Sequence, residues 1–208
     1  MKNPNENQLH RHFIIYKTYG HLSQFANNDI SSHKKKLLGE FYPFPEKIMA
    51  IGRLDEKSEG LLLLTTDGNM SELVRSSKVE KEYFAQVDGE ITSEAIEALR
   101  NGVEIGFDGI KYLTNPCLVS KLNEIPNLPA RGKKIRDERH GPTNWVSIIL
   151  REGKFRQVRK MTAAVGFPTL RLVRVRVGNI HINDMKAGDV KEILNFELLA
   201  NWLITFST

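Results

Sequence analysis

The sequence predicts an α+β fold: a mixed, mostly antiparallel sheet with helices on its outer faces and a basic cleft across its middle. Three observations lead there. Period-two alternation recurs over residues 83–87 and 169–177, as pleated strands with two distinct faces require. The run Leu61-Leu62-Leu63-Leu64 is too short for a core helix and apolar throughout, so it reads as a strand buried on both sides. Helix signals are confined to short stretches opening near Asp67, Thr92 and Arg156.

Residues 1–10 are polar without periodicity and read as a flexible tail, leaving 11–208 as a single domain. Phe13-Ile14-Ile15-Tyr16 is a buried strand entering a turn at Lys17-Thr18-Tyr19-Gly20. Ser32-His33-Lys34-Lys35-Lys36 and Phe41-Tyr42-Pro43-Phe44-Pro45 form a loop with a basic patch and a proline-stiffened corner. The Asp67 carboxylate can cap a helix running to about Ser76. In the next strand Tyr83, Ala85 and Val87 share one face, with Phe84 and Gln86 on the other. Thr92 opens a helix that turns Ile96 and Leu99 inward and ends at Gly102.

Val103-Glu104-Ile105 and Ile110-Lys111-Tyr112-Leu113 suggest short strands joined by glycine turns. Residues 131–140, preceded by prolines at 126 and 129, are expected to be a flexible loop rather than a core element. Trp145 to Leu150 is a strand, and Arg156 to Val165 a helix with Val158, Met161 and Val165 as its apolar stripe. Arg156, Arg159 and Lys160 are placed together on another face, and Gly166 stops the helix. The last strand sets Val173, Val175 and Val177 against Leu172, Arg174 and Arg176.

The chain has 208 residues, 40% of them hydrophobic, which is enough for a substantial core. Its net charge of +5 points to an anionic partner. A single cysteine, Cys117, excludes an internal disulfide and a cysteine metal cluster. The longest apolar runs fall far short of a membrane helix and the N-terminus carries no apolar signal region, so a cytoplasmic, membrane-free protein is expected. Between residues 151 and 176 stand Arg151, Lys154, Arg156, Arg159, Lys160, Arg171, Arg174 and Arg176 against the single acid Glu152. That asymmetry reads as phosphate neutralisation.

Gly52-Arg53-Leu54-Asp55-Glu56-Lys57-Ser58-Glu59-Gly60 sets a polar, glycine-bracketed loop against the buried Leu61–Leu64 strand. Taken alone, the window reads as a solvated turn whose charges cancel. Together with the following Leu61-Leu62-Leu63-Leu64-Thr65, however, it resembles the catalytic loop of pseudouridine synthases, in particular the branch that modifies bacterial ribosomal RNA. Two further stretches, residues 152–161 and 170–178, look like the C-terminal motifs of that family, and Tyr83 matches its active-site tyrosine. Residues 135–138 and 142–145 resemble an insertion of the large-subunit type that has no N-terminal RNA-binding module. Thr18 stands where the relatives carry proline, and Phe155 where a polar residue is common.

The resemblance implies the pseudouridine synthase fold, 23S ribosomal RNA as substrate, action as a monomer, and neither metal nor cofactor. It makes Asp55 the indispensable catalytic group, pairs Arg159 with it, and stacks Tyr83 under the uracil. Arg53 would brace the space left by a flipped base, and the flexible loop of residues 131–140 would face RNA. Lys154, Arg156, Lys160, Arg171, Arg174 and Arg176 would hold phosphates, and Leu54, Val158 and Leu172 would line the uracil pocket. The same chemistry on small-subunit or transfer RNA remains an alternative. So do a catalytically silent RNA-binding protein and a hydrolase that pairs Asp55 with Glu59. In the hydrolase, the two carboxylates would face one another across the site.

Overall fold

The computed structural model describes residues 10–26, 35–76, 79–107, 109–136 and 138–194. Nearly all of the expected tail, and Ser32 to Lys34 of the basic patch, lie outside these residues.

Strands β1 (His12–Lys17), β2 (Met49–Ala50) and β3 (Glu59–Thr65) are followed by helix α1 (Gly68–Arg75), β4 (Lys81–Asp88) and α2 (Ser93–Asn101). Next come β5 (Glu104–Phe107), β6 (Ile110–Leu113), β7 (Leu118–Lys121), β8 (Thr143–Leu150) and α3 (Gln157–Ala164). The series ends with β9 (Thr169–Val177), β10 (Ile180–His181) and β11 (Val190–Ile193). The main sheet has the order β11-β1-β3-β9-β4-β8-β7, with β2 added on β3 and β10 on β9, while β5 and β6 pair separately. Among the described strands, only β3 and β9 pair in parallel; the other strand pairings are antiparallel. The α+β class and the mixed, mostly antiparallel sheet are those expected.

The local chemistry at the starts of α1 and α2 matches their sequence. The Asp67 carboxylate accepts from the amides of Asn69 and Met70, and the Thr92 hydroxyl from the amide of Ala95, satisfying donors that an uncapped helix leaves bare. Each helix then buries one face. Val74 of α1 packs with Leu63 and Val175, while Leu99 of α2 and Val158 and Met161 of α3 join Val119, Ile148 and Leu172. Every residue of β1 and β3 is buried, as the unbroken apolar runs require.

The sheet is two antiparallel blocks joined by a short seam. β11-β1-β3 forms one block and β9-β4-β8-β7 the other, and the parallel pairing between them matches only Glu59 with Val173 and Gly60 with Arg174. At that point the backbones approach so closely that a Cβ on Gly60 would sit 2.3 Å from the Arg174 carbonyl oxygen and 2.8 Å from its nitrogen. Gly60 also has φ of +101°, a conformation unfavourable to any side chain. Gly60→Ala is therefore expected to cost roughly 3 kcal/mol of unfolding free energy. Urea denaturation checks this; a loss of only a few tenths would mean that the seam can open without penalty.

Candidate active site

The loop between β2 and β3 carries Asp55 at the seam, and it is held along most of its length. The Ser23 hydroxyl donates to the Leu54 carbonyl at 2.8 Å and accepts from the Leu54 amide at 2.9 Å. The Gly20 amide donates to Glu56 O at 2.8 Å, and within the loop the Ser58 amide donates to Asp55 O at 3.0 Å. From α3, Arg159 donates through Nη2 to Lys57 O at 2.9 Å and to Ser58 Oγ at 3.3 Å, and through Nη1 to Thr169 O at 3.2 Å. Its Nε faces Asp55 Oδ2 at 3.9 Å and is buried without a hydrogen bond among the described residues. Burial lowers the Arg159 pKa, while the Asp55 charge works to raise it.

Behind the loop, Glu59 is 2% exposed and accepts from Arg171 Nε and Nη2, both at 3.1 Å, with Arg131 Nε at 3.4 Å. Its carboxylate is committed to these arginines. The paired-carboxylate hydrolase required it to face Asp55, and the structure removes that reading. Beside it lies Lys17, fully buried, whose Nζ donates to Thr18 O at 3.0 Å and His21 O at 2.7 Å. Where the resemblance led to a proline, the Thr18 hydroxyl bonds His21 Nδ1 at 2.8 Å and so ties the turn by other means.

Asp55 lines a cavity together with Arg53, Leu54, Tyr83, Lys154, Arg156, Val158 and Leu172. Tyr83 enters it from β4 directly after a register shift between Glu82 and Tyr83, an irregularity of the kind that re-aims a side chain. Glu152 also borders the cavity, but its oxygens accept from the Tyr112 hydroxyl, the Asn115 amide at 2.9 Å and Gln157 Nε2. It therefore knots the 151–154 turn to β6 and α3. The structure thus brings Asp55, Tyr83 and the three apolar residues to one cavity, with Arg159 against Asp55 from behind.

The expected phosphate-binding residues divide. Arg53, Lys154 and Arg156 are exposed and border the cavity. The others are engaged within the protein, which corrects the picture of a cleft lined by the β9 arginines. Arg171, 8% exposed, is bound to Glu59 and donates to Pro129 O at 2.6 Å; Arg174, 5% exposed, donates through Nε to Leu61 O at 2.7 Å. Arg176 bonds Glu82 at 2.8 Å and Glu80 at 3.3 Å. Lys160 donates to Gly106 O at 2.6 Å and stands 3.8 Å over the Phe107 ring, so it and Arg159 leave α3 for different neighbours rather than sharing a face. The 131–140 segment, expected to be a free RNA-facing loop, is anchored instead. Arg131 lies 4.2 Å over the Tyr19 ring and near Glu59, and Arg136 pairs with Asp88.

The RNA pseudouridylate synthase family model matches residues 11–164. The chain belongs to that family. Among its relatives, the ribosomal large subunit pseudouridine synthase E of Vibrio vulnificus is 42% identical over 186 residues, covering 88% of this chain and 75% of the relative. The protein of the same name from Xanthomonas axonopodis pv. citri is 44% identical over 168 residues, 80% of this chain and 85% of the relative. A crystal structure of a pseudouridylate synthase has a TM-score of 0.69 at 24% identity, covering 91% of this chain and 72% of that one, and shares the fold.

In this member of the family, sequence reasoning passed over Ser23, Lys17 and Arg131. Only Lys17 carried a signal, as a cation ending an otherwise apolar strand. Burial holds its pKa down at about 8, against the raising effect of the Glu59, Asp55 and Glu56 charges; Lys81 is held at about 8 by burial and by the charge of Arg174. Free in the unfolded chain, both lysines keep their protons to higher pH, so between those limits the unfolded state binds more protons and stability rises with pH. Cys117, whose pKa burial lifts from 9.0 to about 11, opposes this increasingly as the pH nears 9, but over pH 7.5 to 9 by less than either lysine contributes. Unfolding free energy is therefore expected to climb from pH 7.5 to 9, and in Lys17→Met the climb should be about half as steep. Denaturant titrations across that range check it; identical slopes in the two proteins would show that Lys17 does not titrate there.

Proposed function

We propose that the chain converts uridine to pseudouridine in the RNA of the large ribosomal subunit, 23S ribosomal RNA. The observation that carries this reading is the Asp55 carboxylate at a cavity walled by Tyr83, Leu54, Val158 and Leu172, with the Arg159 guanidinium 3.9 Å behind it. The large-subunit reading draws on the two relatives of that description at 42% and 44% identity.

The reaction breaks the bond from N1 of uracil to C1′ of ribose, turns the base, and rejoins it through C5. The proton lost from C5 is balanced by one gained at N1, so the product is an isomer and no electrons enter or leave. Asp55 assists departure of the base. Arg159, bonded to the loop backbone at Lys57 O and facing Asp55 Oδ2, keeps the carboxylate aimed. Tyr83 lies against the uracil ring near C5, and the apolar walls keep the freed base from diffusing away during its turn. A stacked uridine must first be flipped out, at a cost of a few kcal/mol. Arg53, exposed at the cavity rim, fills the vacated space, while Lys154 and Arg156 hold neighbouring phosphates. We place the enzyme in the cytoplasm as a monomer, which cell fractionation and sedimentation test directly.

Pseudouridine mapping of ribosomal and transfer RNA from cells lacking the protein should show one large-subunit site lost, restored by the wild-type chain and not by Asp55→Asn. A vanished site in small-subunit or transfer RNA would reassign the substrate, and no vanished site would leave a silent RNA-binding protein. In vitro, Asp55→Asn is expected to abolish conversion while RNA affinity stays within a few-fold, since the swap removes charge at the reaction centre but no phosphate contact. Normal turnover by that variant would refute the assigned chemistry. Wild-type activity should survive exhaustive EDTA treatment without any added nucleotide, and loss that a metal restores would count against the mechanism.

A further inference from the structure

A second cavity, of about 210 Å³, opens beside the first and shares Arg53, Tyr83, Gly153 and Lys154 with it. Arg53, Arg75, Lys81, Lys154 and Arg174 border it, and among the described residues no carboxylate does. Unlike Arg171 and Arg176 of β9, which are spent on glutamates, none of these cations is bonded to a carboxylate among the described residues. Arg53 and Arg75 are exposed and have no hydrogen bond or ion pair among the described residues. Lys154 has only the Tyr112 ring beneath its ammonium, at 4.8 Å. Lys81 is half-buried and donates to the carbonyls of Ser76 at 3.1 Å and Arg151 at 3.5 Å, which uses two of its three N–H donors. Arg174 donates through Nε alone, to Leu61 O.

We infer that this cavity binds a backbone phosphate next to the uridine undergoing reaction, with Arg75 and Lys81 as ligands that the phosphate-binding set read from the sequence did not contain. The inference rests on the RNA-modifying function proposed above. A pocket bordered by five cations and no anion lacks a counter-charge, and a phosphodiester supplies one with acceptor oxygens on several sides. The Lys81 pKa is lowered first by burial and then by the neighbouring charge of Arg174. RNA is favoured over a free anion by position. The two cavities have a common wall in Arg53 and Tyr83, so a nucleotide whose base enters beside Asp55 carries its own phosphates toward this pocket.

The test uses a short RNA strand centred on the target uridine, made with natural linkages or with an uncharged methylphosphonate on one or the other side of that uridine. Binding is titrated with wild type, Arg75→Gln and Lys81→Met; Arg75 is exposed on α1, so its variant keeps the question answerable if Lys81→Met folds poorly. One methylphosphonate strand should bind wild type roughly tenfold more weakly, and each variant should lose roughly tenfold on the natural strand. On the methylphosphonate strand the variants should lose nothing further, because the partner charge is already gone. Losses that multiply, or a wild type indifferent to both methylphosphonates, would overturn the assignment. If inorganic phosphate bound the wild type but not the variants while both modified strands bound normally, the pocket would serve a free anion and the inference would fail. Conversion of the natural strand is scored separately: a strand that binds as expected but is never isomerised would sink the catalytic reading and leave the phosphate site standing.

Discussion

The backbone contact between Gly60 and Arg174 governs the arrangement of everything functional in this protein. It is the narrow parallel seam through which two antiparallel blocks become one sheet. A single Cβ there would overlap the opposite backbone at 2.3 Å, so the approach exists only because the loop ends in glycine. The residue before it, Glu59, places a buried carboxylate at the seam, and Arg171 meets it from two positions before Val173 of β9. A buried ion pair is weak evidence for net stability, since desolvation consumes most of the attraction. Its value here lies in register. Sliding β3 against β9 would strand Glu59 and Arg171 without partners, so the alternatives are penalised far more than the native pairing is rewarded.

Because the seam is fixed, the loop that ends in it is fixed too. Asp55 stands four residues before Glu59, and the backbone around it is gripped at Glu56 by Gly20 from the β1 turn, at Leu54 by Ser23, and at Lys57 by Arg159 from α3. These holds come from the segment after β1 and from helix α3, which packs on the other sheet block. The aspartate is thus positioned by the tertiary fold as a whole rather than by its own turn, and that is the pre-organisation a reacting carboxylate needs.

How much of this could be read in the sequence depends on the range of the interaction. Helix caps at Asp67 and Thr92, the alternation of β4 and β9, and the fully buried β1 and β3 follow from neighbouring residues, and all were legible. Charge was not. The basic excess between 151 and 176 looks unbalanced only along the chain, since Glu59, Glu80 and Glu82 arrive from β3 and the start of β4 to meet Arg171 and Arg176. The same limit hid Ser23, whose pair of hydrogen bonds to Leu54 spans 31 positions and carries no local pattern. It also misplaced Lys160, because adjacent residues on a helix point about 100° apart and only the packing of β5 decides where the second one goes. The motifs for Asp55, Tyr83 and Arg159 were visible because a family resemblance already contains the long-range information that composition and periodicity lack.

The relation between Arg159 and Asp55 is looser than a salt bridge drawn from sequence would suggest, and the looseness suits the chemistry. A bidentate fork would lock both carboxylate oxygens and leave little for a substrate to engage. Arg159 instead spends Nη1 and Nη2 on the carbonyls of Thr169 and Lys57, and offers only Nε toward Asp55, at 3.9 Å. The guanidinium thereby fixes the loop backbone and lends its charge without occupying the carboxylate's lone pairs. A buried donor without a hydrogen bond is costly, and Arg159 Nε is one. In the reaction proposed above, that cost would be relieved if the carboxylate closed the gap when substrate fills the cavity, and an interaction stronger in the reacting complex than in the free protein would lower the barrier, whereas one already complete in the free protein would not.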